Sequence, residues 1–435
     1  MFKNFQNHLD EKFAFLKHGR LLLAVSGGID SMVMTDLLLK AGFELSIAHC
    51  NFGLRGEESD QDEEFVKAFA AENAIPIFTQ RFDTEGFAQD NKLSVQVAAR
   101  ELRYAWFGEL IVNHGLDFVL TAHHADDNLE TFLLNLSRGT GLDGLVGIPA
   151  RNGQIVRPLL DFPRIELEDY AAENGIEWRE DASNSSDKYT RNQLRHGVVP
   201  ILKNLNPNLL DSFGQTLSHL QQSQSLVRDA AALVYKQVAI DKEDKIIFRI
   251  FELTRLANHR AYLYQWLNEF GFTAWDDIYG LLDAQSGKRV LSAGFQLLKD
   301  RETLILTRRD SGTENQVFEI VENTTHVNIP IKLTFERVAP GFDADQNRIF
   351  VDEEKIRWPL TLRKWREGDW FYPLGMDGKK KVGKFFKDEK FSLLDKAETW
   401  LLCSGDDIVW IVGHRPDERF KLTDTTKNCL QITRL

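Results

Sequence analysis

A short apolar run, Leu21-Leu22-Leu23-Ala24-Val25, ends on Ser26-Gly27-Gly28-Ile29-Asp30-Ser31 and passes straight into a helical pattern from Met32 to Lys40. A buried strand that turns on two glycines into a helix is a junction of open parallel sheets. It also suits phosphate. Main chain without Cβ atoms can approach a bulky anion, and the free N–H groups and positive dipole end of the helix face it. Ser26 and Ser31 add hydroxyl donors, and Asp30 is placed either to cap the helix or to hold a metal ion. The Walker pattern and the spaced glycines of a dinucleotide fold are both absent, so this is a different phosphate loop, or else a plain tight turn with a capping serine.

The rest of the first two hundred residues supports the sheet. Strand patterns near Leu21 to Val25, Glu44 to Cys50, Ile75 to Phe82, Phe118 to Ala122 and Ile155 to Leu160 alternate with helical ones. The helical patterns fall near Met32 to Lys40, Glu57 to Asn73, Val95 to His114, Asp126 to Arg138, Arg164 to Glu173 and Arg191 to Lys203. That rhythm predicts an α/β, doubly wound parallel sheet, with ligands at the carboxyl ends of its strands. Asn204 to Asn208 breaks the pattern. Helices are predicted from Leu209 to about Val238, Leu253 to Phe270 and Trp275 to Ala284, then short strands around Lys288 to Thr307 and a linker at Asp310 to Asn315. From Val317 onward β-branched and aromatic runs dominate. The expected organisation is 1–205 as a nucleotide-binding domain, 206–312 as a helical middle domain and 313–435 as a small, mostly β domain. With 435 residues and 43% hydrophobic content the chain can fill three cores.

Composition narrows the functional classes. The early apolar run Leu21 to Val25 is far too short to span a membrane and no signal peptide precedes it, which predicts a soluble, cytoplasmic protein. Cys50, Cys403 and Cys429 are far apart, so neither a disulfide framework nor a cysteine zinc site is expected. The formal charge of −12 argues against indiscriminate nucleic-acid binding. Locally the sign reverses: Arg357 to Lys390 holds ten Lys or Arg against five Asp or Glu, interleaved with Trp358, Trp365, Trp370, Phe371 and Tyr372. Such a mixture suits polyanions and base stacking, or is an ordinary solvated β surface.

Two further strand ends carry chemistry. His49 to Arg55 follows the second strand, where His49 is either a local hydrogen-bonding residue or a catalyst, and Arg55 is a phosphate candidate. Thr121-Ala122-His123-His124-Ala125-Asp126-Asp127-Asn128-Leu129-Glu130 closes the fourth. There His123, Asp127 and Glu130 have the spacing to share one face, where carboxylates bind an ammonium, hold magnesium or accept a proton. The plain alternative has Asp126 capping the helix and Glu130 solvated. Arg100 and Arg103 lie one turn apart on the third helix; Arg191 and Arg195, four apart, meet RNA phosphates or pair with Glu180 and Asp181.

Ser26 to Ser31 resembles the pyrophosphate loop of the N-type ATP pyrophosphatases. The larger set resembles one family within them, the tRNA(Ile)-lysidine synthetases. It comprises His49 to Arg55, Thr121 to Leu145, Arg157 to Leu160, Asp181 to Asn184 with Arg191-Asn192 and Arg195-His196, Arg366 to Asp369, Pro373 to Met376, Lys384 to Phe386 and Asp417 to Phe420. Cys50 and Phe52-Gly53 depart from the pattern of many relatives.

The resemblance implies a two-step ligation on the wobble cytidine of the CAU anticodon of tRNA(Ile). ATP adenylates the C2 oxygen and releases pyrophosphate; L-lysine then attacks C2 and expels AMP. The lysidine product changes tRNA identity from methionine to isoleucine. By the same resemblance Ser26, Gly27, Gly28, Ile29, Asp30 and Ser31 hold ATP, with Asp30 on Mg²⁺. Asp127 and Glu130 bind or deprotonate lysine, His123 supports ATP or the adenylated intermediate, and Arg103 steadies charge, with Arg100 as its fallback. Arg191, Arg195, Arg363, Lys364, Arg366, Lys380, Lys381 and Lys384 would contact tRNA. A homodimer remains open. Three rivals are weaker. A sulfur-inserting relative wants a reactive cysteine pair, whereas only Cys50 lies near the cleft. An inactive RNA-binding module has no reason to keep Ser26 to Ser31 together with Asp127 and Glu130. An amidotransferase-type synthetase needs a glutaminase region that is not evident.

Overall fold

The computed structural model describes residues 1–179, 190–309, 316–339 and 345–435. Glu180, the segment Asp181 to Asn184, Tyr189 and the expected linker Asp310 to Asn315 lie outside the described residues.

The chain opens with α1 (Phe2–Lys12), β1 (Leu21–Ala24), α2 (Ile29–Lys40), β2 (Leu45–Asn51), α3 (Glu57–Glu72), β3 (Ile77–Arg81), α4 (Thr84–Asn91) and α5 (Val95–His114). It continues through β4 (Phe118–Leu120), α6 (Ala125–Ser137), α7 (Leu142–Leu145), β5 (Arg151–Asn152), β6 (Ile155–Val156) and α8 (Arg164–Asn174). The sheet order is β3-β2-β1-β4-β6-β5, parallel throughout except for the β5–β6 pair. Leu21 pairs with Leu45 on one side and Phe118 on the other, so β1 is central and covered on both faces, which is why it reads as unbroken leucine. Strand order reverses between β1 and β4. The crevice that such a reversal opens lies above the carboxyl ends of those two strands, where the Ser26 loop and the Thr121 segment emerge.

The predicted doubly wound sheet is therefore present, and the differences are local. Helices α1 and α4 have no counterpart in the sequence-based assignment. The run expected as one helix from Arg191 to Lys203 is Thr190–Gln193, a π-helical turn Leu194–Val198 and a helix Val199–Leu205. Pro200 lacks the N–H that an uninterrupted helix would need there, and the widened turn absorbs the loss.

The chain folds as two compact units, Met1–Arg228 and Asp229–Leu435. In the first, Phe213 and Leu217 of the helix Leu209–Val238 pack with Leu129 and Val199. In the second, a five-stranded antiparallel sheet, Ala239–Asp241, Lys245–Arg249, Arg289–Leu291, Phe295–Asp300 and Thr303–Arg308, packs with helices around Phe248, Leu263, Trp266 and Leu297. Its first two strands lie within the predicted helical middle region, between two of its expected helices, and were not expected from the sequence. The expected helix Leu253 to Phe270 is Ile250–Thr254 and His259–Leu267 closed by a short 3-10 turn. Leu253, Leu263 and Leu267 face one core, so apolar periodicity did not reveal the break. The C-terminal part folds as a five-stranded and a four-stranded antiparallel sheet over Leu333, Val351, Leu362, Leu402 and Trp410, with a two-stranded ribbon of Trp370–Phe371 and Lys380–Lys381. Among the described residues no helix is long and apolar enough to cross a membrane.

Candidate functional site

The Ser26 loop is held by its own hydroxyls. The Ser26 amide donates to Ser31 Oγ at 3.2 Å, Ser31 Oγ donates to the Gly28 carbonyl at 2.9 Å, and the Gly28 amide donates to Ser26 Oγ at 3.3 Å. Gly27 sits at φ +90°, a left-handed conformation that a side chain resists. Gly28 caps α2, so the loop delivers the helix N-terminus into the crevice. His49 is buried, and its Nδ1 donates to the Val25 carbonyl at 2.9 Å; the structure makes it a clamp on the strand leading into the loop. Burial lowers its pKa, against the pull of that hydrogen bond and of Glu63 and Asp62.

The loop opens into a cleft of about 1000 Å³. Of the residues expected for nucleotide and chemistry, Ser26, Gly28, Ile29, Asp30, Ser31, Arg103, His123 and Asp127 line it, together with Arg191 and Arg195. Gly27, Glu130 and Arg100 do not. Arg100 lies 4.9 Å from the Tyr104 ring and Arg103 5.1 Å from that of Phe52. Arg164, Trp178 and Arg179 also line the cleft and were not singled out from the sequence; only folding shows that the Arg179 amide donates to the Gly27 carbonyl at 3.0 Å. Buried Asp62 accepts from Arg55 at 2.7 Å and from Arg179 at 2.5 Å. Six arginines thus line the cleft against Asp30, Asp62, Asp127 and Glu168, a positive excess in a chain of net charge −12. Such a cleft favours a polyanion.

Burial raises the Asp30 pKa, although His124 and Arg164 oppose it. Asp30 Oδ1 is buried and has no hydrogen-bond partner among the described residues. An unpartnered carboxylate oxygen beside a phosphate loop fits Mg²⁺, which keeps several waters and takes one or two carboxylates plus phosphate oxygens. No group of three or more His, Cys, Asp or Glu suited to a metal occurs among the described residues.

Glu130 is 1% exposed and lies beneath the cleft wall. Its Oε2 accepts from Arg191 Nε at 2.8 Å and its Oε1 from Arg195 Nε at 2.6 Å, while Asp127 Oδ1 accepts from both guanidiniums at 3.0 and 3.1 Å. The two carboxylates and two arginines form one compact four-charge cluster. Burial pushes the Asp127 carboxyl up, but His124, Arg191 and His123 outweigh it and hold the group below the usual carboxylate range. Asp126 is not the helix cap: it binds Lys203 at 2.5 Å and the Arg164 amide at 2.8 Å, and His124 caps α6 instead.

His123 Nδ1 is 3.0 Å from Thr121 Oγ1. Burial, reinforced by Arg157, Arg191 and Arg100 against the pull of Asp127, lowers its pKa to about 4. The folded imidazole therefore refuses the proton that the unfolded chain takes up near pH 6.5. Its contribution to stability is complete above that pH and is lost as pH falls towards 4. Unfolding temperatures measured from pH 7 to pH 4 are expected to fall less steeply for His123→Gln than for the natural protein; identical slopes would contradict this. Cys50 lines the cleft, but burial pushes its thiol up to about 12 despite nearby Arg103. It stays protonated and unreactive.

In the second unit, Arg363 is committed to Asp369 through bonds of 2.8 and 2.9 Å and Lys380 to Asp388 at 2.8 Å, while Lys364 donates to the Glu398 carbonyl at 3.0 Å. Arg366, Lys381 and Lys384 are exposed and make no ion pair among the described residues.

A parallel sheet whose first strand ends in a Ser-Gly-Gly turn at the strand-order reversal defines a PP-loop nucleotide-binding domain, and residues 1–202 match the family model of that description. Residues 241–309 match the TilS substrate binding domain and 360–432 the TilS substrate C-terminal domain. A tRNA(Ile)-lysidine synthase of Parabacteroides distasonis is 40% identical over 429 residues, 97% of each chain, and one of Bacteroides thetaiotaomicron is 36% identical over 430 residues, again 97% of each. Among solved structures, the U34-tRNA thiolase NcsA of Methanococcus maripaludis aligns with 51% of this chain and 78% of its own, at a TM-score of 0.44 and 19% identity. The chain belongs to the tRNA(Ile)-lysidine synthase family.

Proposed function

We propose that this protein is a ligase that uses ATP to join L-lysine to C2 of the wobble cytidine of tRNA(Ile) with a CAU anticodon, forming lysidine. The observation that carries the reading to the chemistry is the shared cleft: the Ser26 loop and Asp127 face one cavity. In the first step the cytidine C2 oxygen attacks the α-phosphorus and pyrophosphate leaves; in the second the lysine amine attacks C2 and the oxygen departs with AMP. A carbonyl oxygen is a poor leaving group until it is a phosphate ester, which explains the order.

The amide and hydroxyl donors of Ser26 to Ser31 would receive the charge moving onto pyrophosphate. Asp30 would hold Mg²⁺, which supplies charge neutralisation on the phosphates when bound. His123, uncharged near neutrality, would serve as a hydrogen-bonding and packing group beside the intermediate. Arg103 and its aromatic neighbour Phe52 would steady the cytidine side.

Lysine reaches the site as a cation, with a side-chain pKa of about 10.4, and must shed a proton before it attacks. An Asp127 held charged is suited to receiving that ammonium and is a weak base towards it. The two carboxylates carry Arg191 and Arg195. Lysine entry would exchange one ion pair for another as the arginines turn to tRNA or ATP phosphates, which joins their expected tRNA role to this cluster. Residues 1–205 would carry the chemistry, with 206–312 and 313–435 holding the tRNA. Arg366, Lys381 and Lys384 are its exposed cationic candidates.

The test is incubation with ATP, Mg²⁺, labelled lysine and tRNA(Ile) bearing CAU, with elongator tRNA(Met) as control. Label retained on the isoleucine tRNA alone, and stable to alkali that strips aminoacyl esters, is expected. Label on neither tRNA would overturn the reading.

A further inference from the structure

The stretch from Arg357 to Lys390 is either a surface for stacked bases or an ordinary solvated one, and burial decides between them. Four of the five aromatic residues singled out there belong to the fold. Phe371 is buried, Trp358 packs on the core around Leu333 and Trp410, Trp365 stands edge-on against Phe386, and Tyr372 is half-buried. Trp370 alone among them is exposed, by 40%. Its orientation is nonetheless fixed by a buried acid. Asp417, 1% exposed, accepts from the Tyr372 amide at 2.9 Å and from Arg419 Nε and Nη2 at 2.9 and 2.8 Å, and Asp407 accepts from Arg419 Nη1 at 2.5 Å. The guanidinium so held lies 5.1 Å from the centre of the Trp370 ring and 4.9 Å from that of Tyr372, and the two rings meet at 86°. A second cation, Lys379, lies 5.2 Å from the indole; it is exposed and makes no ion pair among the described residues. Across the ribbon Trp370 pairs with the exposed Lys381.

We infer that the Trp370 indole is a stacking platform for an unpaired base of the tRNA, with Lys379 and Lys381 placed for the adjoining phosphates. The inference rests on the function proposed above. Every base has a π face, so such a site tolerates any sequence and asks only that the base be unpaired. Arg419, neutralised by Asp407 and Asp417, is a rigid support for the ring. Lys379 has no such partner, and its ammonium is free to pass from the indole to a phosphate as a base takes its place. The cations around the ring select a polyanion over an apolar protein surface.

Three variants and two RNAs test the platform. Trp370→Phe keeps a π face, Trp370→Leu keeps apolar bulk without one, and Trp370→Ala keeps neither. Affinity is measured for tRNA(Ile) bearing CAU and for a fully paired RNA duplex of similar length, across a series of salt concentrations. With tRNA, Trp370→Leu and Trp370→Ala are expected to bind at least about 5-fold more weakly than the natural protein, and Trp370→Phe within about 3-fold of it, since stacking carries that share of the affinity. The slope of affinity against salt should be unchanged, because no phosphate contact is lost. The duplex should bind all four proteins alike. A Trp370→Leu protein that holds tRNA as tightly as Trp370→Phe would overturn the inference, as would an equal loss on the duplex or a loss that comes with a shallower salt slope. A natural protein with no affinity for tRNA(Ile) would instead sink the proposed function, whatever the variants do.

Discussion

Replacing Asp127 by Asn is expected to reduce lysine incorporation by about 100-fold or more while the protein remains folded. Asparagine keeps the shape and leaves an oxygen to accept the His124 amide, so the capping box survives. What disappears is the charge that would hold an ammonium, and losing one member of a desolvated charge pair costs about 2–5 kcal/mol. Pyrophosphate release with ATP and tRNA alone should stay within about ten-fold of normal, because the phosphate loop is untouched; each factor of ten is about 1.4 kcal/mol. The comparison of those two half-reactions is the measurement. Near-normal lysine incorporation in the variant would remove Asp127 from its role.

Glu130→Gln is expected to act chiefly on stability. Glu130 is buried and receives three hydrogen bonds from two guanidiniums. Removing its charge leaves Arg191 and Arg195 sharing Asp127 alone. Breaking a buried ion pair costs about 3–5 kcal/mol, and the lower end applies because both arginines retain some contact with water. For a unit the size of Met1–Arg228, a loss of about 3 kcal/mol corresponds to a fall of roughly 6–12 °C in unfolding temperature. Calorimetry of the natural and Glu130→Gln proteins measures it. An unchanged transition with abolished lysine transfer would instead place Glu130 in direct contact with substrate.

Local features were the ones legible in advance. The strand, two glycines and helix of Leu21 to Lys40 are contiguous, and their geometry follows from a few neighbouring residues: apolar side chains for a covered strand, Gly27 for a left-handed turn and Ser31 to close the loop. The carboxylate and histidine cluster of His123 to Glu130 was visible for the same reason. Its division of labour was not. Helical spacing placed Asp127 and Glu130 together but did not show that one lines the cleft and the other lies buried beneath it. Adjacent histidines look alike in sequence, and only the turn into α6 made His123 a cleft residue and His124 the cap.

The sequence by itself determined the parallel sheet, the phosphate loop and the family, because apolar periodicity, glycine placement and ordered motifs are properties of the chain read along its length. Tertiary structure alone decided which charges meet. Arg191 and Arg195 are more than sixty residues from Glu130, and Arg179 is 117 from Asp62. Partners so distant in sequence are selected by the closing of the sheet and the packing of its helices, and the low dielectric between those elements makes the pairing matter.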